Sequence, residues 1–373
     1  MSLRVRRVES SEDLSAALAL PARLHAEDPS WVAPIDWIRR RRTRAFLRSG
    51  SLALFVAERD GRVVGTISAL RDKAFERDKA EKVAWFGYFE TEDDPAVAEA
   101  LFAAATDTAR GWGATHLRGP RDLTRFEHVG LTVEGHDTVP PFLQGHHPRY
   151  VQPLVEAAGF VRHHDVLAYD ISVRDPSGAR RTIPPHVRAK ADEVDIPGLE
   201  VRQAHRRSMG HDLRQAHAVL NTAFQTVPDV APMPQAAFVS IGRPYLLVAD
   251  TGLLRIATVN GEPVGFAACF PDINEAVGRA NGSLLPLGWA RVAAGLRHAR
   301  TASFKLLGVV PQYRGTGLHA RLIADVLEGV LAAGYERVEA SVIDERNGPM
   351  RGVVEHIGMS VYRRYRFYER AVA

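Results

Sequence analysis

The sequence predicts a mixed α/β protein made of two tandem copies of one unit, each a mostly antiparallel sheet flanked by helices. Three observations predict it. The chain has 373 residues, more than twice the roughly 150 that one ordinary domain uses. Segments about 200 positions apart repeat one another in order. Each copy holds a tight hairpin signal and a strand–helix–strand crossover, so antiparallel and parallel pairs share a sheet.

The repeat starts with a hairpin. Leu54-Phe55-Val56-Ala57-Glu58-Arg59-Asp60-Gly61-Arg62-Val63-Val64-Gly65 is mirrored by Arg255-Ile256-Ala257-Thr258-Val259-Asn260-Gly261-Glu262-Pro263-Val264-Gly265, with Gly61 and Gly261 200 positions apart. Asp-Gly and Asn-Gly between β-rich runs suit turns in which both central residues take positive φ. Val155-Glu156-Ala157-Ala158-Gly159-Phe160 is mirrored by Val354-Glu355-His356-Ile357-Gly358-Met359, and Tyr169 by Tyr368, each 199 positions on. The glycines closing the long apolar helices, Gly113 and Gly334, are 221 apart, so the register shifts and then returns. One insertion per copy explains this: residues 119–147 in the first and 271–300 in the second.

The unit reads in order as an opening strand (5–8; 200–203), a helical region, the hairpin, a further strand, a long helix, a strand, a second helix and a final pair of strands. The first crossover is strand 83–90, helix 95–110, strand 115–118. The second is strand 304–310, helix 318–332, strand 337–343. Asp175-Pro176-Ser177-Gly178, Pro184-Pro185 and Pro197-Gly198 interrupt any regular pattern. They set the domains at 1–173 and 199–373, with 174–198 as linker.

Composition narrows the function classes. Hydrophobic residues at 46% and charged residues at 25% exclude a disordered or collagen-like chain. One cysteine, Cys269, excludes a disulfide scaffold and a Cys-rich zinc site, and fits a reducing cytoplasm. No window approaches the roughly 18 uncharged apolar residues of a membrane span. The net charge of +4 is small, so a pI near 9.3 gives no argument for nucleic acid. Arg39-Arg40-Arg41-Arg42 with Trp31 and Trp37 nearby is a candidate for holding RNA phosphates. A solvated helix face, or a brace against the acidic turn near Glu92, accounts for it as well.

The sharpest motif is Gln312-Tyr313-Arg314-Gly315-Thr316-Gly317-Leu318, where a strand turns into a helix. Glycines there free backbone N–H groups at a helix N-terminus, where the macrodipole favours an anion such as pyrophosphate. No Gly-Lys-Ser/Thr follows, so this is not a Walker loop. With its surroundings the motif resembles the GCN5-related N-acetyltransferases, whose pyrophosphate loop reads Gln/Arg-x-x-Gly-x-Gly/Ala after a strand that splays from its neighbour. Asn347 and Gly358-Met359 stand where that family has an asparagine and a Gly-Phe helix end. The resemblance covers residues 200–370 well and, through the repeat, 1–173 more faintly.

The resemblance implies acetyl-CoA or another acyl-CoA as co-substrate, with no metal. The pyrophosphate would sit on the N–H groups of Tyr313 to Leu318. The pantetheine would lie along Leu307 to Val310 with Asn347 on its other side. A backbone N–H of Val309 or Val310 would stabilise the oxyanion while an amine attacks the thioester. The function expected is an acyl-CoA-dependent N-acyltransferase, in the first instance an N-acetyltransferase, acting on a small-molecule or peptide amine. A homodimer is compatible with the sequence. The alternatives are a non-catalytic acyl-CoA-binding module and an aminoacyl-tRNA-dependent transferase of the same fold.

Two departures stand against the family pattern. Its usual tyrosine acid, seven residues after the asparagine, is Val354 here; Tyr362 or Tyr365 would have to replace it, or the thiolate, of pKa about 8.5, leaves unprotonated. In the first copy the loop position reads Phe89-Glu90-Thr91-Glu92-Asp93-Asp94-Pro95, whose carboxylates repel a phosphate. Asp93 or Asp94 instead suits an N-cap with Pro95 in the first turn, so the first copy reads as a degenerate one. Glu339 and Ser341, alternating onto one strand face, are the candidate base pair. Asp272, Asn274 and Glu275 open the second insertion and are candidates for gripping the amine; the insertion reads as a helical cover. His128, His136, His146, His147, His163 and His164, with Asp137 and Asp165, lack metal-ligand spacing.

Overall fold

Both hairpins close on the residues that signal them: Asp60 and Asn260 take φ of 52° and 50°, joining antiparallel strands in each copy. The computed structural model describes every residue except 1, 226, 228, 247–248, 279–291, 293, 296–297 and 373. The chain forms two units. The first comprises Met1–Leu167, Asn274–Gly295 and Tyr362–Ala373; the second comprises Ala168–Ile273 and Leu296–Val361.

The elements follow the expected order except at the end of each copy, where one long strand follows the second helix in place of the expected pair. They are β1 (Leu3–Arg7), α1 (Ser11–Leu24), α2 (Asp36–Arg48), β2 (Leu52–Arg59), β3 (Arg62–Arg71), α3 (Lys73–Lys79), β4 (Val83–Thr91), α4 (Pro95–Gly111), β5 (His116–Gly119), β6 (Leu131–Glu134), α5 (Val151–Ala157) and β7 (Val161–Ser172). After the join come α6 (Pro185–Asp192), β8 (Leu199–Gln203), α7 (Met209–Ala223), α8 (Gln235–Leu246), β9 (Leu254–Val259), β10 (Glu262–Pro271), α9 (Asn274–Gly278), β11 (Thr301–Val309), α10 (Leu318–Ala333), β12 (Arg337–Asp344), α11 (Gly348–Ile357) and β13 (Ser360–Ala371).

In the first unit the strand order is β1-β2-β3-β4-β5-β13, with β6 on β13. Among the described residues of this order only β4–β5 is parallel, as the crossover requires. Helix α4 recurs apolar every three or four residues, and Val97, Leu101, Phe102 and Ala105 are buried. Phe102 packs its ring 4.5 to 5.3 Å from those of Phe89, Phe160 and Phe86. In the second unit the order is β12-β11-β10-β9-β8, and α10 buries Leu318, Leu322, Ile323, Val326 and Val330.

The division differs from 1–173 and 199–373 in a specific way: each unit draws closing residues from the other half of the sequence. Tyr368 pairs with Gly119 of β5 in the first unit, and its hydroxyl donates to Glu156 Oε1 at 2.8 Å. In the second unit the hydroxyl of Tyr169 donates to Glu355 Oε1 at 2.9 Å, and the Val173 N–H donates to the Glu336 carbonyl. The two tyrosines and two glutamates that repeat at one spacing therefore make the same bond twice, crosswise. The join is also not a loose tether. Val187 and Ala191, one turn apart, are buried in α6, and the Arg188 guanidinium pairs with Glu328 of α10.

Candidate functional site

In the second unit the parallel ladder between β11 and β12 runs from Thr301↔Arg337 to Phe304↔Ala340 and stops. Beyond it β11 stays paired on its other side, with Gly265↔Val309 of β10. The Val310 N–H donates to the Val264 carbonyl at 3.0 Å. N–H groups alternate between the two sides of an antiparallel strand, so those of Val309 and Leu307 face the side where the β12 ladder has ended. Of the two oxyanion donors expected, Val310 is thus committed and Val309 is the one available.

The turn after β11 has the features the motif requires. Gly315 and Gly317 take φ of 83° and 84°, and a Cβ at Gly315 would meet no atom within 4 Å, so the backbone is open to an approaching group. Tyr313 and Arg314 spend their N–H groups on Val310 and Pro311, and Thr316 Oγ1 donates to the Tyr313 carbonyl at 2.8 Å. The N–H groups that open α10 have no carbonyl four residues back inside the helix. Gln312, Gly315 and Thr316 are exposed, Tyr313 is half-buried and Leu318 is buried. These residues fit a pyrophosphate. Arg314 does not add a cation there, because it donates to the Ala223 carbonyl at the end of α7 at 2.6 Å.

The splay itself holds a group that sequence reasoning missed. Lys305 Nζ donates to Ser341 Oγ at 2.6 Å and lies 3.5 Å from Glu339 Oε2, which also accepts from the Ser303 hydroxyl. Glu339 and Lys305 side chains are 1% and 8% exposed. A carboxylate enclosed and paired in this way is the counter-ion of Lys305, not an open base for an incoming amine. The only sequence signal was a lysine, a rare residue in this chain, inside an otherwise apolar strand.

Other expected residues are dispersed. Asn347 spends its side-chain oxygen on the N–H of Met350, capping α11, and Val354 is buried in that helix. Tyr362 and Tyr365 belong to the first unit, where Tyr365 is fully buried with the Arg363 guanidinium 5.4 Å from its ring. Asp272 belongs to the second unit and is buried, its N–H bonded to the Thr301 carbonyl. Asn274 and Glu275 open α9 in the first unit, and the Asn274 amide donates to the carbonyls of Pro140 and Pro141. The trio expected to grip an amine is thus divided between units. Residues 279–291 of the expected cover lie outside the described residues.

The corresponding turn of the first unit is built differently. Asp94 caps α4 through the N–H groups of Ala96 and Val97, with Pro95 in the first turn. Arg59 pairs with Asp94, and Arg23 and Arg62 with Glu92. The arginine run does not brace this turn: Arg39 stacks on Tyr88, Arg40 bonds Ser15 and Arg42 pairs with Glu127.

Residues 231–359 match the Acetyltransferase (GNAT) family. Over 99% of its length the chain is 32% identical to the bacterial ceramide synthase of Caulobacter vibrioides, covering 98% of that protein. It is 28% identical to protein YghO of Escherichia coli, over 99% of this chain and 95% of the other. Among solved structures, a tandem GNAT protein from the clavulanic acid biosynthesis pathway superposes with a TM-score of 0.56 at 17% identity, covering 100% of this chain and 99% of that one. No helix among the described residues is long and apolar enough to cross a membrane.

Proposed function

The chain is an N-acyltransferase of the Acetyltransferase (GNAT) family, and from that premise we propose that it moves an acyl group from acyl-CoA to the amine of a long-chain amino alcohol, making a ceramide-type amide. The observation that carries the donor half is the turn from Gln312 to Leu318, two left-handed glycines at a helix N-terminus, set where β11 leaves β12. The acceptor half is supported by the full-length likeness to a ceramide synthase.

Each part of the turn has a task. N–H groups from Gly315 onward hold the pyrophosphate, and the helix dipole adds to their field. The unpaired edge of β11 offers the pantetheine amides a strand to lie against. The amine nitrogen forms a bond to the thioester carbonyl carbon, with the Val309 N–H on the developing oxyanion. The C–S bond then breaks, CoA leaves as thiolate, and the nitrogen gives up a proton. A thiolate with pKa about 8.5 departs without an obligatory acid, which accommodates Val354. Lys305 is held beside the site by Glu339 and Ser341.

The test is incubation of the full chain with palmitoyl-CoA and sphinganine, with free thiol and amide product followed together. Stoichiometric thiol and ceramide-type product are expected, with acetyl-CoA a poorer donor. Thiol release without amide, or a preference for acetyl-CoA and a short amine, would overturn the acceptor and donor assignments.

A further inference from the structure

The first unit has its own opening at the end of β4, and it is neither filled nor shaped for a phosphate. The β4–β5 ladder stops at Trp85↔Arg118, and the insertion then crosses over β4, the Arg121 N–H bonding the Phe86 carbonyl. At Gly87 a Cβ would lie 2.2 Å from the Arg121 carbonyl oxygen, so only glycine lets the crossing happen. The result is a small pocket of about 30 Å³, room for an ammonium head group with the rest of the molecule outside it, whose lining includes Trp31, Arg39, Tyr88, Glu90, Asp122 and His128.

Its polar groups are partly used and partly open. Asp122 Oδ1 accepts the Tyr88 N–H at 2.7 Å. Its Oδ2 has His128 Nδ1 at 3.9 Å, beyond hydrogen-bond reach. Glu90 Oε2 meets His25 Nε2 at 3.0 Å, and His25 stacks on Trp31 at 5.3 Å. Each carboxylate thus keeps one oxygen without a hydrogen-bond partner among the described residues. The ring of Tyr88 lies under the Arg39 guanidinium. Tyr88 and His128, both lining residues, hold left-handed φ of 47°, a conformation that costs energy outside glycine and collects at functional sites.

We propose that this pocket is a second binding site of the protein, one that takes a primary ammonium group carried by an amino alcohol. The two open carboxylate oxygens supply the counter-charge, and Trp31 and Tyr88 supply aromatic faces. Two carboxylates face a single lining guanidinium, Arg39. Burial holds His128 and His147 down, at about 4 and about 3, so they stay neutral and serve hydroxyl groups, not anions. The Glu92–Asp94 turn excludes a phosphate. Perturbed titratable groups gathered in a pocket are the pattern of a ligand site. Identifying that ammonium with the acyl acceptor rests on the reaction proposed above; its binding here does not.

Calorimetry with a soluble short-chain 2-amino-1,3-alkanediol, without CoA, tests the site. One binding event is expected, weakened at least tenfold by Glu90→Gln and by Asp122→Asn, and absent for the N-acetylated diol. A native-like circular dichroism spectrum and a single cooperative melt in both variants verify that they fold. Gly315→Glu should keep diol binding. Equal binding of the N-acetylated diol, or unchanged affinity in both carboxamide variants, overturns the proposal. Ammonium binding that persists while no amide forms would sink only the proposed reaction.

Discussion

The two units run through the same succession of elements and differ where strand turns into helix. In the second, β11 hands over to α10 through Gly315 and Gly317, with open space before the backbone at Gly315. In the first, β4 hands over to α4 through Glu92, Asp93 and Asp94, with a side-chain cap and three arginine pairings. The contrast continues at the splay. The second unit places a bonded cluster of Lys305, Glu339, Ser303 and Ser341 at its splay, whereas the first keeps a pocket with two partly unpaired carboxylates. After a duplication, one copy can keep the phosphate-binding turn while the other is free to hold a cation, because the helix dipole needs an anion at its start but accepts a carboxylate as readily as a phosphate.

Breaking the buried pair in the second unit should have the largest effect on stability. Glu339→Ala leaves Lys305 uncompensated and should cost about 3–5 kcal/mol, read as a large fall in Tm. Replacing both Lys305 and Glu339 by methionine should recover much of that loss. If Glu339→Ala is as stable as the native chain, Lys305 is not held as described.

Next in size is a pH effect that belongs to the first unit. Burial lowers His128 and His146 to about 4 and His147 to about 3, against an ordinary value near 6.5. Such groups contribute their full stability above about 6.5 and lose it as pH falls toward the folded values, because the unfolded chain takes up the protons first. Asp122 runs the other way: burial raises it to about 6, so its contribution favours folding as pH falls. With His136 lowered by burial as well, four histidines against one raised carboxyl make acid destabilising between about pH 6.5 and 4. Melting curves across that range should show a falling Tm, flattened by His147→Asn; a Tm that rises toward pH 5 would contradict the neutral-histidine reading.

A smaller change tests the caps. Asp94→Ala should cost about 1 kcal/mol, measured by urea denaturation, since it removes bonds to two N–H groups. Gly317 caps α10 with no side-chain bond, so no equivalent loss exists in the second unit. The smallest effects test the crosswise exchange. Tyr169→Phe and Tyr368→Phe should each cost about 1 kcal/mol or less, in similar amount and additively. A much larger loss in one would show that the two bonds are not equivalent.

These residues also show what the sequence made legible. The Asp60 and Asn260 turns, the Gln312–Leu318 loop and the Asp94 cap depend on neighbours within a few positions, so residue type alone revealed them. The exchange of last strands did not, because Tyr169 and Tyr368 carry the same neighbours and nothing local states which glutamate each will reach. Lys305 and Glu339 meet across a parallel pair 34 positions apart, a contact that no motif encodes. The histidines of the first half carry no spacing that marks a site; their role as neutral groups in a pocket depends on burial, which follows from the insertion crossing Gly87.

The central claim is that acyl-CoA is held by the second unit alone. Calorimetric titration of the full chain with CoA measures it directly. The account predicts one site per chain, abolished by Gly315→Glu, which puts a side chain and a charge where the phosphate approaches the backbone. Two sites per chain, or undiminished affinity in that variant, would contradict it.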